Sequence, residues 1–124
     1  MWTYQATVAR VVDGDTFDAT VDVGFYHYTQ QRFRLMGYNA PEVHGVEKPM
    51  GLQAKNALIL ALNGDGVILR TFKGDSFGRW LASVEIERGD LVEALITGGW
   101  GVRWDGKGER PRFDPSKAYP LEHA

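Results

Sequence analysis

The sequence predicts a small five-stranded Greek-key β barrel carrying two helices, an α+β fold dominated by strands. Three observations predict it. Five short segments have strand-like alternation or β-branched content, two helical segments follow the third and the fifth of them, and the connections are rich in Gly, Asn and Asp.

The elements follow in order. Residues 4–12 are rich in β-branched residues and read as a strand. Residues 16–23 alternate, with Phe17, Ala19, Val21 and Val23 set against Thr16, Asp18, Thr20 and Asp22, as in a half-buried strand. Residues 24–30 read as a loop or hairpin tip. Residues 31–38 form a third strand, with Phe33 and Leu35 on one face and Arg32, Arg34 and Met36 on the other. After a turn-rich loop over 39–49, residues 50–62 are strong helix formers. Ala54, Ala57, Leu58, Ile59, Ala61 and Leu62 give them a wide apolar face. Asn63-Gly64-Asp65-Gly66 ends this helix. Residues 67–72 and 79–87 are the fourth and fifth strands, the latter with Trp80, Ala82, Val84 and Ile86 inward. Asp90 with Glu93 resembles a capping box and opens a helix that stops at Gly98-Gly99. This order is that of an OB-fold. The core is expected to bury Phe17, Val21, Phe33, Leu35, Val84 and Ile86.

Size and composition set the outer limits. The chain has 124 residues, 44% hydrophobic and 24% charged, enough for one domain with one core. Residues 1–104 are expected to form that domain, and 105–124 an irregular tail rich in Pro and Gly. The absence of cysteine excludes disulfides, thiolate zinc sites and a cysteine nucleophile. A net charge of −2 argues against a general nucleic-acid binder but not against an enzyme that grips one phosphate. His27, His44 and His123 lie far apart, without metal-ligand spacing. No apolar run is long enough for a membrane span, and no signal peptide is visible. The expected location is therefore cytoplasmic, or secreted if a leader has been removed. A monomer is expected.

Chemistry concentrates in an ordered set: Asp13-Gly14-Asp15-Thr16, then Arg34, then Asn39-Ala40-Pro41-Glu42, then Phe77-Gly78-Arg79. Each piece has a plain structural reading. Asp-Gly between alternating runs is a hairpin signal, Pro41 stops a strand, and strand arginines are commonly solvated. Together they supply what metal-assisted phosphodiester cleavage requires. Carboxylates can hold a hard cation, two arginine forks can grip a phosphate, and a free carboxylate can take a proton.

These residues resemble the staphylococcal nuclease (thermonuclease) family over about residues 5–104. The similar segments are Asp13-Gly-Asp-Thr16, Phe33-Arg-Leu35 with Asn39-Ala-Pro-Glu42, Gly45-Val-Glu-Lys48 with Gly51, Asp75-Ser-Phe-Gly-Arg79, and Ala94-Leu95 with Gly99. The resemblance implies an OB-fold nuclease that needs calcium and cuts DNA and RNA with little sequence preference. It implies Asp15 and Asn39 as side-chain calcium ligands, the Ala40 carbonyl as a backbone ligand and Asp13 in the outer shell. Glu42 would be the general base, and Arg34 and Arg79 would bind the scissile phosphate. Lys48 and Trp104 are further candidates for substrate contact. Asn39 departs from the pattern, standing where the family carries an aspartate, so weakened metal binding is expected. The tail also departs: the family continues into a third helix, and Trp104 to Pro115 does not read as one. Trp100, Trp104 and Tyr119 are there either to stack a base or to pack and cover an edge. The expected partner is single-stranded or frayed nucleic acid, DNA or RNA. The alternative is a catalytically weakened or inactive module that binds nucleic acid or protein.

Overall fold

The computed structural model describes residues 2–62, 66–74 and 78–122. Strands β1 (Trp2–Asp13), β2 (Thr16–Gly24) and β3 (His27–Leu35) form an antiparallel meander. A two-residue strand β4 (Tyr38–Asn39) and a single 3-10 turn (Gly45–Glu47) lead into helix α1 (Lys48–Leu62). Then come β5 (Gly66–Phe72), β6 (Trp80–Ile86), β7 (Gly89–Asp90), helix α2 (Leu91–Thr97) and β8 (Val102–Arg103). β1 pairs with β5, β5 with β6, and β6 returns in parallel to β3 through Phe33↔Trp80, Arg34↔Leu81 and Leu35↔Ala82. That last pairing, over the final three residues of β3, closes a five-stranded OB barrel. β1 serves two partners because register shifts between Val8 and Arg10 and between Val11 and Asp13 coil it around the barrel. None of the described helices is long and apolar enough to cross a membrane.

Phe17, Val21, Phe33, Leu35 and Val84 are buried, and the rings of Phe17 and Phe33 stack with centroids 5.7 Å apart. Each such side chain contributes roughly 1.5–3 kcal/mol of transfer free energy. Asp90 caps α2 by accepting from the Glu93 backbone N–H at 2.9 Å, which satisfies an otherwise orphaned donor. The buried face of α1 is Met50, Gly51, Ala54, Leu58 and Leu62. This stripe is narrower than its composition suggests, since Ile59 and Leu60 are exposed.

Several expectations about elements change. The tip expected over 24–30 is only Phe25 and Tyr26, both at positive φ (56° and 62°), so β3 starts at His27 and ends at Leu35. Two bulky residues occupy backbone positions that Gly or Asn would favour, which hid the tight turn. Trp80 is 45% exposed because it begins its strand at the open end of the barrel, and Ile86 is only half-buried. Asn39 lies on a strand paired with β8 rather than in a loop. The helix ending read at Asn63–Asp65, the Asp75–Phe77 part of the Gly-Arg turn, and His123 fall outside the described residues.

Two glycines fix how this scaffold meets its loops. A Cβ on Gly14 would lie 2.7 Å from Cβ of Ala54 and 2.8 Å from Cβ of Ala40. The β1–β2 turn is therefore wedged between α1 and the segment after β4. A Cβ on Gly51 would collide with the carbonyl of Glu42, so the first turn of α1 lies directly against that segment.

Candidate functional site

The β1–β2 turn, the outer face of β3 and the segment after β4 meet on the flank of the barrel. Asp13 ends β1, and its Oδ1 accepts from the Asp15 N–H at 3.0 Å, an Asx turn that shapes the loop. Asp15 is buried. Its Oδ1 accepts from the Thr16 hydroxyl at 3.1 Å and its Oδ2 from the Ala40 N–H at 3.1 Å. That second bond ties the turn to the segment that carries Glu42. Burial pushes the Asp15 carboxyl up to about 7, helped by the charge and hydrogen bond of Asp13 and opposed by Arg34 and the Ala40 amide.

Arg34 projects from β3 away from Phe33 and Leu35, as their alternation requires. Its polar contacts among the described residues are long: 3.8 Å to Asp15 Oδ2, and 3.4 Å to both the Tyr38 carbonyl and Asn39 Oδ1. Its guanidinium lies 5.2 Å from the ring centroid of Trp104, within cation–π range. Trp104 is held in turn by its own backbone N–H to the Gly37 carbonyl and by Nε1 to the Lys107 carbonyl. Asn39 is buried and donates Nδ2 to the Pro111 carbonyl at 3.1 Å. The amide nitrogen is thereby spent on the tail, and the oxygen accepts from Arg34 at 3.4 Å.

Glu42 is half-buried, its carboxylate 3.6 Å from His44 Nε2 and 3.7 Å from Arg110 Nε. Arg79 stands at the entrance to β6, half-buried, one residue before Trp80, which pairs with Phe33. Its backbone is thus set beside the strand that carries Arg34. Lys48 opens α1 with its side chain exposed. The structure therefore brings Asp13, Asp15, Arg34, Asn39, Ala40 and Trp104 into one neighbourhood, with Glu42 on the adjoining turn.

Sequence reasoning missed Glu47 and Arg110. Glu47 is 4% exposed and accepts from Arg110 Nη2 at 2.7 Å, Arg110 Nη1 at 3.2 Å, the Glu42 N–H at 2.9 Å and the Phe113 N–H at 3.1 Å. Burial works against its charge, but the Arg110 fork and the two amides prevail and hold the carboxyl at about 2. Arg110 Nη2 also donates to the Ala40 carbonyl at 3.0 Å. The tail is irregular, as its composition predicts, and it packs against the site through Phe113, which is buried.

The oxygens around Asp15 have the right chemistry for a hard dication: two aspartates, an amide oxygen and a main-chain carbonyl. The buried, proton-retaining Asp15 is a group whose ionised form a bound cation would favour. The set is short of charge, however. Among the described residues no three or more His, Cys, Asp or Glu side chains gather closely enough to hold a metal, and the Ala40 carbonyl already accepts from Arg110.

Fold and cluster together define an OB-type domain with acidic and guanidinium groups converging on its flank. The chain belongs to the staphylococcal nuclease homologue family, whose pattern matches residues 32–114, about two thirds of its length. It is 27% identical over 82 residues to CAN3, described as a probable staphylococcal-like nuclease, from Oryza sativa subsp. japonica. That alignment covers 66% of this chain and 21% of the rice protein, so the chain spans about a fifth of that relative's length.

Proposed function

We propose that this domain is a calcium-dependent nuclease that hydrolyses phosphodiester bonds of single-stranded or frayed DNA and RNA with little sequence preference. The observation that carries the reading is Arg34. Its side chain is only 17% exposed, it faces Asp15 across 3.8 Å, and its polar contacts among the described residues are 3.4 Å or longer. A guanidinium so placed gains short, charge-assisted bonds when a phosphate arrives.

Asp15 and the Asn39 oxygen would hold calcium, with Asp13 behind them and waters completing the shell, and the ion would supply Lewis-acid polarisation of a phosphate oxygen. Arg34 binds a non-bridging oxygen, its guanidinium 5.2 Å from the ring centroid of Trp104. Glu42 is partly open to solvent and takes the proton of the attacking water. Arg79, at the start of β6 beside the strand that carries Arg34, would balance the charge that develops on phosphorus. Trp104 also offers an aromatic ring on whose face a base can stack.

A second reading, a binding module with little or no catalysis, is favoured by the Arg110 guanidinium on the Ala40 carbonyl and by the missing charge at Asn39. Incubation with denatured DNA in calcium, and then in chelator, separates the two. Cleavage in calcium that chelator abolishes supports the enzyme. DNA that is bound but left intact in both supports the module.

A further inference from the structure

The geometry points to Glu47 and Arg110 as a positioning pair for Glu42, through which the irregular tail becomes part of the catalytic wall. This rests on the nuclease reading for its kinetic consequence, but not for its structural one. The pair holds the segment 40–42 at two points. Glu47 Oε1 accepts the Glu42 N–H at 2.9 Å, and Arg110 donates to the Ala40 carbonyl at 3.0 Å. Pro41, between them, has no N–H of its own and a fixed φ. Its two neighbours therefore supply the main-chain groups by which this turn is gripped. The same guanidinium presents Nε to the Glu42 carboxylate at 3.7 Å while its other edge is locked on Glu47. One arginine thus sets the backbone on one side of Pro41 and faces the side chain on the other.

The tail is held by the same carboxylate. Glu47 Oε2 accepts the Phe113 N–H at 3.1 Å, so residues 110–113 and residues 40–42 are tied to one buried acid. A buried carboxylate needs such partners to remain ionised, and a planar fork meets that need with a fixed orientation that an ammonium cannot reproduce. The arrangement does more than brace the fold, because the main-chain groups it fixes flank Pro41 and lead directly into the proposed base. A small rotation of the 40–42 turn would carry the Glu42 carboxylate off its water while leaving Arg34, on β3, able to hold the phosphate.

The test uses the full chain and the variants Arg110→Ala, Arg110→Lys and Glu47→Gln, read by amide hydrogen exchange and by steady-state cleavage of denatured DNA. Arg110→Ala is expected to strip exchange protection from the Glu42 and Phe113 amides while the barrel strands stay protected. It should lower kcat by about 10–100-fold with KM within about twofold, the signature of a displaced base. Arg110→Lys keeps the charge without the fork and should recover only part of kcat. If Arg110→Ala does not fold, the same split in Arg110→Lys and Glu47→Gln carries the test. Unchanged kcat in folded variants, or a fall in melting temperature alone, overturns the positioning role. If the wild-type chain cuts nothing, the nuclease reading falls and exchange decides alone. Retained protection at Glu42 in the variants would then overturn the pair, and lost protection would uphold it.

Discussion

Replacing Asp15 by asparagine should make stability respond to pH in a way that the buried charge dictates. The Asp15 carboxyl ionises near 3.8 when unfolded and near about 7 in the fold, because burial and Asp13 disfavour its charge. Between those values the native state binds the proton and the unfolded chain does not. The associated stability is complete below pH 3.8 and is lost as pH rises through about 7. At ~1.4 kcal/mol for each pH unit between the two values, the loss reaches about 4 kcal/mol. The asparagine variant carries no titrating group at this position and so escapes that loss. Its side-chain NH2 cannot accept from the Ala40 N–H or the Thr16 hydroxyl as Asp15 does, a pH-independent cost of about 1 kcal/mol. Asp15→Asn should therefore be slightly less stable than wild type near pH 4 and more stable by up to about 3 kcal/mol near pH 8. Urea titrations of both proteins in chelator at pH steps between those limits measure it. Parallel stability curves would refute the account of Asp15. With calcium present the gap should close from the wild-type side, since a ligand that binds only the native state stabilises it.

Glu42→Gln and Arg79→Lys should each reduce DNA cleavage by orders of magnitude with unchanged melting, since one removes the base and the other the fork. Near-normal turnover in either removes that residue from the mechanism. Asn39→Asp should tighten calcium binding about tenfold or more by calorimetry, worth about 1.4 kcal/mol per tenfold. It should also cost the metal-free fold about 1–3 kcal/mol, because aspartate cannot donate to Pro111. Equal affinities would show that residue 39 does not address the metal. Gly51→Ala should lower the melting temperature despite a gain in helix propensity, because the new methyl meets the Glu42 carbonyl and overpacking costs about 1–3 kcal/mol. A raised melting temperature would show that the contact yields freely.

What was legible in the sequence was local. The alternation of residues 16–23 marked a strand because Phe17, Ala19 and Val21 fill the core face of β2 while Asp18, Thr20 and Asp22 are half-buried or exposed; Thr16 is buried and Val23 exposed, against the alternation. Asp90 and Glu93 marked a helix start because the cap bond spans three residues. The same holds for the order of Asp15, Arg34, Asn39 and Ala40, which lie on neighbouring turns and strands that the barrel topology brings together. Gly51 was a weaker signal, since glycine inside a strong helix costs about 1 kcal/mol against alanine and implies a close neighbour without naming it. Glu47 and Arg110 carried no local signal. A glutamate before a helix reads as solvated, and an arginine in a Pro/Gly-rich tail reads as surface. They lie 63 residues apart, and only tertiary packing gives the acid its fork. Asn39 connects the two levels. Read locally it is a lost ligand charge. In the fold its amide nitrogen holds Pro111, the residue next to Arg110, a bond an aspartate could not make. On the proposed function, the residue that lowers the charge of the cation site is therefore also the one that docks the tail, and with it the guanidinium, against the turn that carries Glu42.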